Sequence, residues 1–348
     1  MLQGVVSSIC ITHDNNIGMW HELVRHKKVA IDLLETVEIG GIKQSLYIRG
    51  EDINKPVILF LHGGPGLPVI PFLHKFQYLW EKTYTIVQWD QRNAGKTFYL
   101  NDPDVVLKSM SFERALEDAH EITQYLKQKL KKEQIIILGW SWGSVLGSAL
   151  VQAYPHDYIA YISVGQCVNF RENERVGYKA LLDKVNAKGN SKDISIVQSF
   201  APYPPETYDN NYNQQILKIR EYQAKYGLGV TPVWKKVLPL LTSPYYKLKE
   251  KGYFLQDFLR YHGPIIRFLL ENYDARNFGT TYTIPVFYIM GEQDFQTPYP
   301  LAKDFFEEIS APKKKFFSIP NAGHDPMQDN PQKFNQVLLD EIYREIIV

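Results

Sequence analysis

The sequence has few of the residues that mark disulfide-rich, metal-binding or membrane proteins. It contains two cysteines among 348 residues, Cys10 and Cys167, too few and too far apart for a disulfide framework or a thiolate zinc site. We therefore predict reduced, unpaired thiols in a reducing compartment. No apolar run approaches the roughly 18 residues of a transmembrane helix. Ser7 and Ser8 interrupt the apolar stretch near the start of the chain, so no secretory signal peptide is predicted.

The chain also lacks an excess of charge of either sign. Lysine and arginine total 39 against 38 aspartates and glutamates, which gives a net charge of +1 at pH 7. A nucleic-acid binder or a polybasic membrane binder carries a clear positive excess. The expectation is a soluble, cytoplasmic protein with no nucleic-acid partner and no membrane partner.

Short β-rich runs alternate with amphipathic helical stretches over much of the chain. Helices are predicted over residues 112–130, with Ser111 as the N-cap, over 299–309 and over about 331–346. Strands rich in Ile, Val and Leu that are joined by helices predict an α/β fold, with a mainly parallel sheet and helices on both faces. The β-rich runs lie at residues 36–39, 44–48, 57–61, 84–89, 135–138, 158–164, 284–290 and 315–319.

This alternation stops between about residues 169 and 280, where proline- and tyrosine-rich patches separate helical pieces at 214–226 and 255–271. The segment carries 17 Lys and Arg against 11 Asp and Glu, which indicates either a solvated helical surface or a cap that attracts anionic substrates. The predicted organisation is a core over 1–168 with an N-terminal extension over 1–30, a helical cap over 169–280, and the second part of the core over 281–348. Residues 19–24 are predicted to form a short amphipathic helix that docks on the core, with association with a membrane as the alternative.

Residues 139–143 read Gly-Trp-Ser-Trp-Gly and stand between a strand and an apolar helix. This arrangement resembles the nucleophile elbow of α/β hydrolases, in which the serine, here Ser141, lies on a sharp strand-to-helix turn. Gly139 and Gly143 suit such a turn because side chains there would collide with the adjoining strand and helix. The helix start directs backbone N–H groups toward a reacting oxygen. Ser141 is the candidate nucleophile, and a Gly-rich packing turn is the alternative.

A second glycine-rich segment, His-Gly-Gly-Pro-Gly at residues 62–66, follows the strand at 57–61. Glycines let the backbone approach a substrate closely, and α/β hydrolases keep the other half of the oxyanion hole at this place. The expected donors are the backbone N–H groups of Gly64 and Trp142. His62 is interpreted as a hydrogen-bonding support of the loop, with the role of general base as the alternative.

The acid and the base of a serine triad follow later in the chain, in the order that this fold requires. Asp294 lies just past the strand at 284–290, where a carboxylate orients an imidazole and stabilises its cationic form, and Glu292 is the alternative acid. His324 lies in the loop after the strand at 315–319. It is the predicted base, which takes the Ser141 proton and later gives it to the leaving group.

Three segments together resemble the proline iminopeptidase (prolyl aminopeptidase) branch of the α/β-hydrolase superfamily. They are residues 62–66, the string Gly-Trp-Ser-Trp-Gly-Ser at 139–144, and Asp-Gln-Arg at 90–92. The resemblance covers about residues 57–164 and 284 to the C-terminus.

This resemblance implies an α/β-hydrolase fold with an inserted helical cap. It also implies Ser141 as nucleophile, Asp294 as acid and His324 as base, with Gly64 and Trp142 as oxyanion donors and no metal ion or organic cofactor. The chain departs from the family pattern where a glycine commonly precedes the serine and here a tryptophan does, and in the Asn-Ala-Gly-Lys-Thr that follows Asp-Gln-Arg. These departures bear on the substrate and leave the triad intact.

An aminopeptidase of this kind must hold the free amino group of its substrate, and a cation that leaves water needs a charge partner. Glu172 and Glu174, where the cap begins, are the candidate substrate-binding residues. Arginines flank both of them, so a salt-bridged helix start is the alternative interpretation.

The predicted function is a serine hydrolase that acts through an acyl-enzyme on a small peptide, amide or ester. An aminopeptidase that releases N-terminal proline or another small apolar residue is favoured. A carboxylesterase or lactonase with the same triad is one alternative, and a ligand-binding receptor on the hydrolase fold is another.

Overall fold

One eight-stranded sheet runs through the molecule, at the positions where the β-rich runs predict strands. The computed structural model describes residues 29–92, 94–251 and 262–347. The first two strands extend beyond their predicted runs because they pair with each other along their whole length as a hairpin. In chain order the strands are β1 (Ile31–Ile39), β2 (Ile42–Gly50), β3 (Val57–Leu61), β4 (Thr85–Asp90), β5 (Ile135–Trp140), β6 (Tyr158–Val164), β7 (Val286–Gly291) and β8 (Lys314–Ile319).

The strand order is β1-β2-β4-β3-β5-β6-β7-β8. β2 pairs antiparallel with β1 and with β4, and each of the other neighbouring pairs is parallel. The predicted mainly parallel sheet is therefore confirmed. Because the carboxyl ends of parallel strands meet at one edge of a sheet, the loops after β3, β5, β7 and β8 lie close together.

Helices cover both faces of the sheet, as predicted. The helix with the clearest apolar periodicity, Phe112–Leu130, has the predicted bounds, and its N-cap Ser111 accepts a hydrogen bond from the Arg114 N–H at 3.1 Å. The predicted closing helix is interrupted by a π-helical stretch, Val337–Ile342. The α-helices whose two ends both lie within the described residues are α1 (Gly95–Tyr99), α2 (Pro103–Lys108), α3 (Phe112–Leu130), α4 (Trp142–Ala153), α5 (Phe170–Lys188), α6 (Ser191–Gln198), α7 (Asn210–Lys225), α8 (Val233–Thr242), α9 (Gly263–Asn272), α10 (Tyr299–Glu308), α11 (Pro326–Asp329), α12 (Pro331–Gln336) and α13 (Tyr343–Ile347), and the 3₁₀ turns are Ile70–Lys75, Gln77–Lys82, Pro155–Asp157 and Ala275–Phe278.

The core divides into two layers because successive side chains of a strand point to opposite faces. In β3, Leu59 packs with the apolar side chains of α3 and α4, whereas Phe60 packs with Trp80 and Phe334 on the other face. All five residues of β3 are fully buried. The strands that carry the candidate site therefore lie in the rigid centre of the molecule.

A helical segment separates β6 from β7, and no strand is found among its described residues. Its two ends meet, because Asn169 Nδ2 donates to Asp274 Oδ2 at 3.0 Å. The segment has an apolar cluster of its own that includes Leu181, Val197 and Ile219. We call it the cap, and its limits at 169 and 280 stay a prediction.

Some sequence-based predictions fall where the structure gives no description. These are the helix at residues 19–24, nearly all of the extension over 1–30, Cys10, and most of the first half of the helix at 255–271. Among the described residues, no helix combines the length and the apolar character that a membrane span requires.

Buried polar contacts join the cap to the core beside β4. Asp90 is fully buried, and its Oδ2 accepts hydrogen bonds from the Lys96 N–H at 2.8 Å and from the Tyr246 hydroxyl at 2.5 Å. The Lys96 ammonium lies 2.7 Å from Glu250. Burial raises the pKa of Asp90 to about 7, although the hydrogen bonds from Tyr246 and Lys96 act in the opposite direction.

We predict that Asp90→Asn changes how stability depends on pH. A carboxyl whose pKa is raised by folding stabilises the fold below its ordinary pKa, and that contribution is lost as the pH rises toward about 7. Asparagine keeps a hydrogen-bond acceptor and does not ionise. The free energy of unfolding of the variant minus that of the parent should rise by more than about 1 kcal/mol from pH 5 to pH 8. Urea unfolding at each pH measures this difference. Asp183→Asn, at an exposed position of α5, is the control, and a difference that stays flat with pH would contradict the prediction.

Candidate active site

Ser141 lies at the turn between β5 and α4, with φ of 57° and ψ of −117°. Such a positive φ is costly for a residue with a side chain, so the surroundings must hold it. The Ser141 N–H donates to the Val164 carbonyl at 2.9 Å. A Cβ on Gly139 would lie 2.3 Å from the Gly143 carbonyl oxygen, and one on Gly143 would lie 1.9 Å from the Leu61 carbonyl oxygen. Both glycines are therefore required, as the sequence predicts.

The helix start behind Ser141 is fixed by Ser144. The Ser144 hydroxyl donates to the Ser141 carbonyl at 2.6 Å and accepts from the Cys167 N–H at 2.9 Å. Trp142 is the first residue of α4, so its N–H has no acceptor within the helix. The turn thus presents a serine hydroxyl beside a backbone donor at the positive end of a helix.

Asp294 and His324 meet across the loops after β7 and β8. His324 Nδ1 lies 2.9 Å from Asp294 Oδ2. The same carboxylate accepts from the Thr297 hydroxyl at 2.8 Å, from the Gln296 N–H at 2.8 Å and from the Thr297 N–H at 3.0 Å. An imidazole that donates from Nδ1 to a carboxylate keeps Nε2 as a proton acceptor. Sequence reasoning missed Thr297, although a threonine three residues after a candidate acid is the pattern of a local side-chain hydrogen bond.

Ser141 and His324 line one cavity of about 170 Å³, which we call the acyl pocket. His324 Nε2 is buried and has no hydrogen-bond partner among the described residues, so no bond joins it to the Ser141 hydroxyl here. Catalytic hydrogen bonds are often long without substrate and tighten when one binds. The arrangement places the candidate nucleophile and the candidate base on the same cavity.

Trp140 holds the histidine loop from the β5 side. Its indole Nε1–H donates to the His324 carbonyl at 2.9 Å, and the two rings lie 5.9 Å apart between centroids. From the cap, the Gly229 carbonyl accepts from the His324 N–H at 2.7 Å. The tryptophan that departs from the family pattern thus fixes the backbone of the candidate base.

Glu292, the alternative acid, is exposed, whereas Asp294 is buried. The structure brings Asp294 to the imidazole of His324, and Glu292 makes its backbone contact with Ile319 instead.

His62 supports the glycine-rich loop. Its Nδ1 lies 2.8 Å from the Gly63 carbonyl, and its Nε2 accepts from the Gln91 N–H at 3.2 Å, so both ring nitrogens are engaged. Burial lowers the pKa of His62 to about 4, which keeps the ring neutral at pH 7. Gly64, with φ of 118°, lines the acyl pocket, and its N–H donates to no other described residue.

The two candidate glutamates of the cap lie in different surroundings. Glu172 is partly exposed and pairs with Arg175 across one helical turn, 2.5 Å away, and it does not line the acyl pocket. Glu174 is fully buried, with one oxygen bonded to Arg220 and the other to the Tyr203 hydroxyl. Glu174 therefore lies behind Arg220, and Arg220 itself lines the pocket.

Asn173, between these glutamates, is a site residue that sequence reasoning missed. It is 2% exposed and lines the acyl pocket, and its Nδ2 donates to Cys167 Sγ at 3.3 Å. Its Oδ1 is buried without a hydrogen-bond partner among the described residues. A buried acceptor without a partner is costly, and a ligand that donates to it removes that cost. The sequence feature that could have indicated Asn173 is its place between the two candidate glutamates, near the start of the cap.

The described residues contain no group of three or more histidine, cysteine, aspartate or glutamate side chains that could hold a metal ion.

Comparison with known proteins finds a family model, related sequences and related solved structures. A family model described as the alpha/beta hydrolase fold matches residues 56–185. The "Probable aminopeptidase" of Bacillus subtilis is 27% identical over 312 residues, which covers 90% of this chain and 96% of the relative. A "Probable proline iminopeptidase" of Leptolyngbya boryana is 25% identical over 288 residues, which covers 80% of this chain and 84% of the relative. The crystal structure of a proline iminopeptidase-related protein from Thermus thermophilus superposes with a TM-score of 0.57 at 19% identity, over 91% of this chain and 97% of that one, and shows the fold.

We predict that a fluorophosphonate probe labels this protein at Ser141. Labelling requires a serine oxygen that a neighbouring base activates, so Ser141→Ala should abolish it and His324→Ala should slow it at least about a hundredfold, in keeping with the loss of a general base. The measurement is the labelling rate by gel fluorescence, with the labelled peptide identified by mass spectrometry. Ser195→Ala, at an exposed position of α6, is the control. Equal labelling of the parent and of His324→Ala would contradict the arrangement.

Proposed function

Because the chain belongs to the α/β-hydrolase superfamily, we propose that it is a serine hydrolase that works through an acyl-enzyme. Ser141 is the nucleophile, His324 the general base and acid, and Asp294 the orienting carboxylate. The observation that supports this most is the 2.9 Å contact between His324 and Asp294 on the cavity that Ser141 lines. Gly64 and Trp142 are the proposed oxyanion donors.

The proposed reaction has two halves. His324 Nε2 takes the proton of the Ser141 hydroxyl while its oxygen attacks the substrate carbonyl carbon, and the oxyanion that forms accepts from the backbone N–H groups of Gly64 and Trp142. The imidazolium, stabilised by Asp294, then protonates the departing nitrogen or oxygen. Water, deprotonated by the same imidazole, hydrolyses the ester on Ser141 and frees the enzyme.

Within this class we propose an aminopeptidase that releases N-terminal proline or another small apolar residue. Full-length relatives named as aminopeptidase and proline iminopeptidase support the activity. The acyl pocket supports the preference, because its small volume and the apolar side chains at its cap end favour a compact, uncharged group. Those side chains include Phe170, Ile216, Leu217, Ile266 and Leu269.

We propose that the substrate amine donates to Asn173 Oδ1. This oxygen is a buried acceptor on the acyl pocket, without a hydrogen-bond partner among the described residues. Of the predicted glutamates we retain Glu174, whose charge balances that of Arg220, so that the guanidinium does not repel the incoming ammonium as a lone cation would. Glu172 is not included, because it lies outside the pocket.

A carboxylesterase or lactonase with the same triad is the second candidate. One observation favours it: neither cap glutamate lines the pocket, whereas Arg220 does, and an ester offers no cation to hold. A small peptide, amide or ester is the partner in either case, and the cytoplasmic location stays a prediction from the sequence.

The acid can be assigned by a matched pair of variants. Asp294→Asn should lower kcat/KM by at least about a thousandfold, because the imidazole loses the carboxylate that orients it and stabilises its cation. Glu292→Gln, two residues away and exposed, should change it by less than about twofold. Far greater damage from Glu292→Gln than from Asp294→Asn would overturn the assignment.

The amine requirement can be measured with free and N-acetylated prolyl anilides. A charge-assisted hydrogen bond of about 1.5 to 3 kcal/mol predicts that the free-amine anilide is cleaved roughly ten- to a hundredfold faster. Asn173→Ala should remove most of that preference, and Glu174→Gln should reduce it. Both should affect a neutral aryl ester of similar size much less. Glu172→Gln, on the same helix but outside the pocket, is the control.

Equal cleavage of the free and the blocked anilide would replace the aminopeptidase proposal with the esterase. An amine preference that Asn173→Ala leaves unchanged would keep the function and remove only the residue assigned to it.

A further inference from the structure

A second cavity of about 500 Å³ adjoins the acyl pocket, and we call it the outer cavity. The two cavities share the wall residues Leu67 and Trp140 of the core and Val230 and Thr231 of the cap. The proposed mechanism assigns no role to the outer cavity.

The outer cavity borders the loops that carry the proposed acid and base. The leaving atom must reach His324 Nε2, which protonates it. The loops that carry the triad border the outer cavity: Gln293 precedes Asp294, Gly323 precedes His324, and both line it. Trp140, whose ring packs beside the imidazole, stands between the two cavities.

The lining of the outer cavity suits a peptide chain. Its lining combines residues with polar side chains that offer both donors and acceptors, including Gln293, Asn321 and Gln328, with the aromatic residues Phe72 and Phe76. A peptide main chain offers one donor and one acceptor per residue and needs such mixed surroundings. A cavity of this volume, within the usual range of ligand sites, accommodates about two amino-acid residues.

The wall of the outer cavity beside the histidine loop is held by tight backbone packing. A Cβ on Gly229 would lie 2.1 Å from the Gln293 carbonyl oxygen, and one on Gly323 would lie 2.2 Å from the Gly229 carbonyl oxygen. The Gly323 N–H also donates to Asp329 at 2.9 Å, and Asp329 lines the outer cavity. The outer cavity and the histidine loop are therefore parts of one rigid unit, so a ligand in the cavity is placed at a fixed distance from His324.

We propose that the outer cavity binds the part of a peptide substrate that follows the scissile bond, so that the enzyme prefers peptides of three or more residues to dipeptides. This inference rests on the proposed aminopeptidase function. The acyl pocket selects the first residue, and the outer cavity binds the main chain of the next residues.

The test is a series of peptides Pro-Ala, Pro-Ala-Ala and Pro-Ala-Ala-Ala, with proline release measured by chromatography. The expected result is that kcat/KM rises about tenfold from the dipeptide to the tetrapeptide, equivalent to about 1.4 kcal/mol. Ala224→Trp, which fills the outer cavity from the cap, should bring the tetrapeptide-to-dipeptide ratio close to one. Gln328→Trp, which fills it from the core, serves if the first variant folds poorly.

Ala187→Trp, at an exposed position of α5 away from both cavities, is the matched control and should keep the parent ratio. A parent enzyme that cleaves all three peptides equally, or a ratio that both filling variants leave unchanged, overturns the inference while the aminopeptidase function stands. Hydrolysis of an aryl ester without cleavage of any of the peptides overturns the aminopeptidase function and the inference with it.

Discussion

The positive φ of Ser141 is the constraint on which the candidate site depends. A serine with φ of 57° is held there by close backbone packing: β5 meets β3 and β6 on either side, and α4 begins at the next residue. The absence of side chains at Gly139 and Gly143 is what lets these elements approach. The strained turn places the serine hydroxyl at the sheet edge, beside the start of α4, so one local conformation supplies both the candidate nucleophile and a backbone donor.

The buried carboxylates Asp294 and Glu174 both have partners, since an unmatched charge in the interior is costly. Asp294 is held by the Thr297 hydroxyl, two backbone N–H groups and the imidazole of His324. Glu174 is matched by Arg220 in the cap. His324 Nε2 and Asn173 Oδ1 are buried on the acyl pocket and have no hydrogen-bond partner among the described residues. These two atoms are the contacts that we propose for a substrate.

The fold was largely predictable because periodic patterns report local structure. The apolar positions from 112 to 130 repeat at helical spacing, and that helix has the predicted bounds. The strand at 57–61 is apolar throughout because it is buried on both faces, and it was also predicted without error. The hairpin β1–β2 was predicted too short, because polar residues such as Asp32 and Arg49 interrupt the apolar pattern at its ends and are kept in the sheet by pairing with the neighbouring strand. The π-helical stretch in the closing helix has no signal in the periodicity.

The sequence by itself determined the class of the fold and the candidate nucleophile, acid and base, because each of these residues stands at the end of a strand in a recognisable local motif. Only the tertiary structure decided what surrounds them. It separated the neighbouring glutamates 172 and 174 into an exposed ion pair and a buried one, and it turned Asn173 into the pocket. It also brought Trp140 against the His324 loop across 184 positions of sequence. Motifs describe residues that are close along the chain, whereas a binding site is made by residues that packing brings together, and which side of a helix faces a cavity depends on everything packed around it.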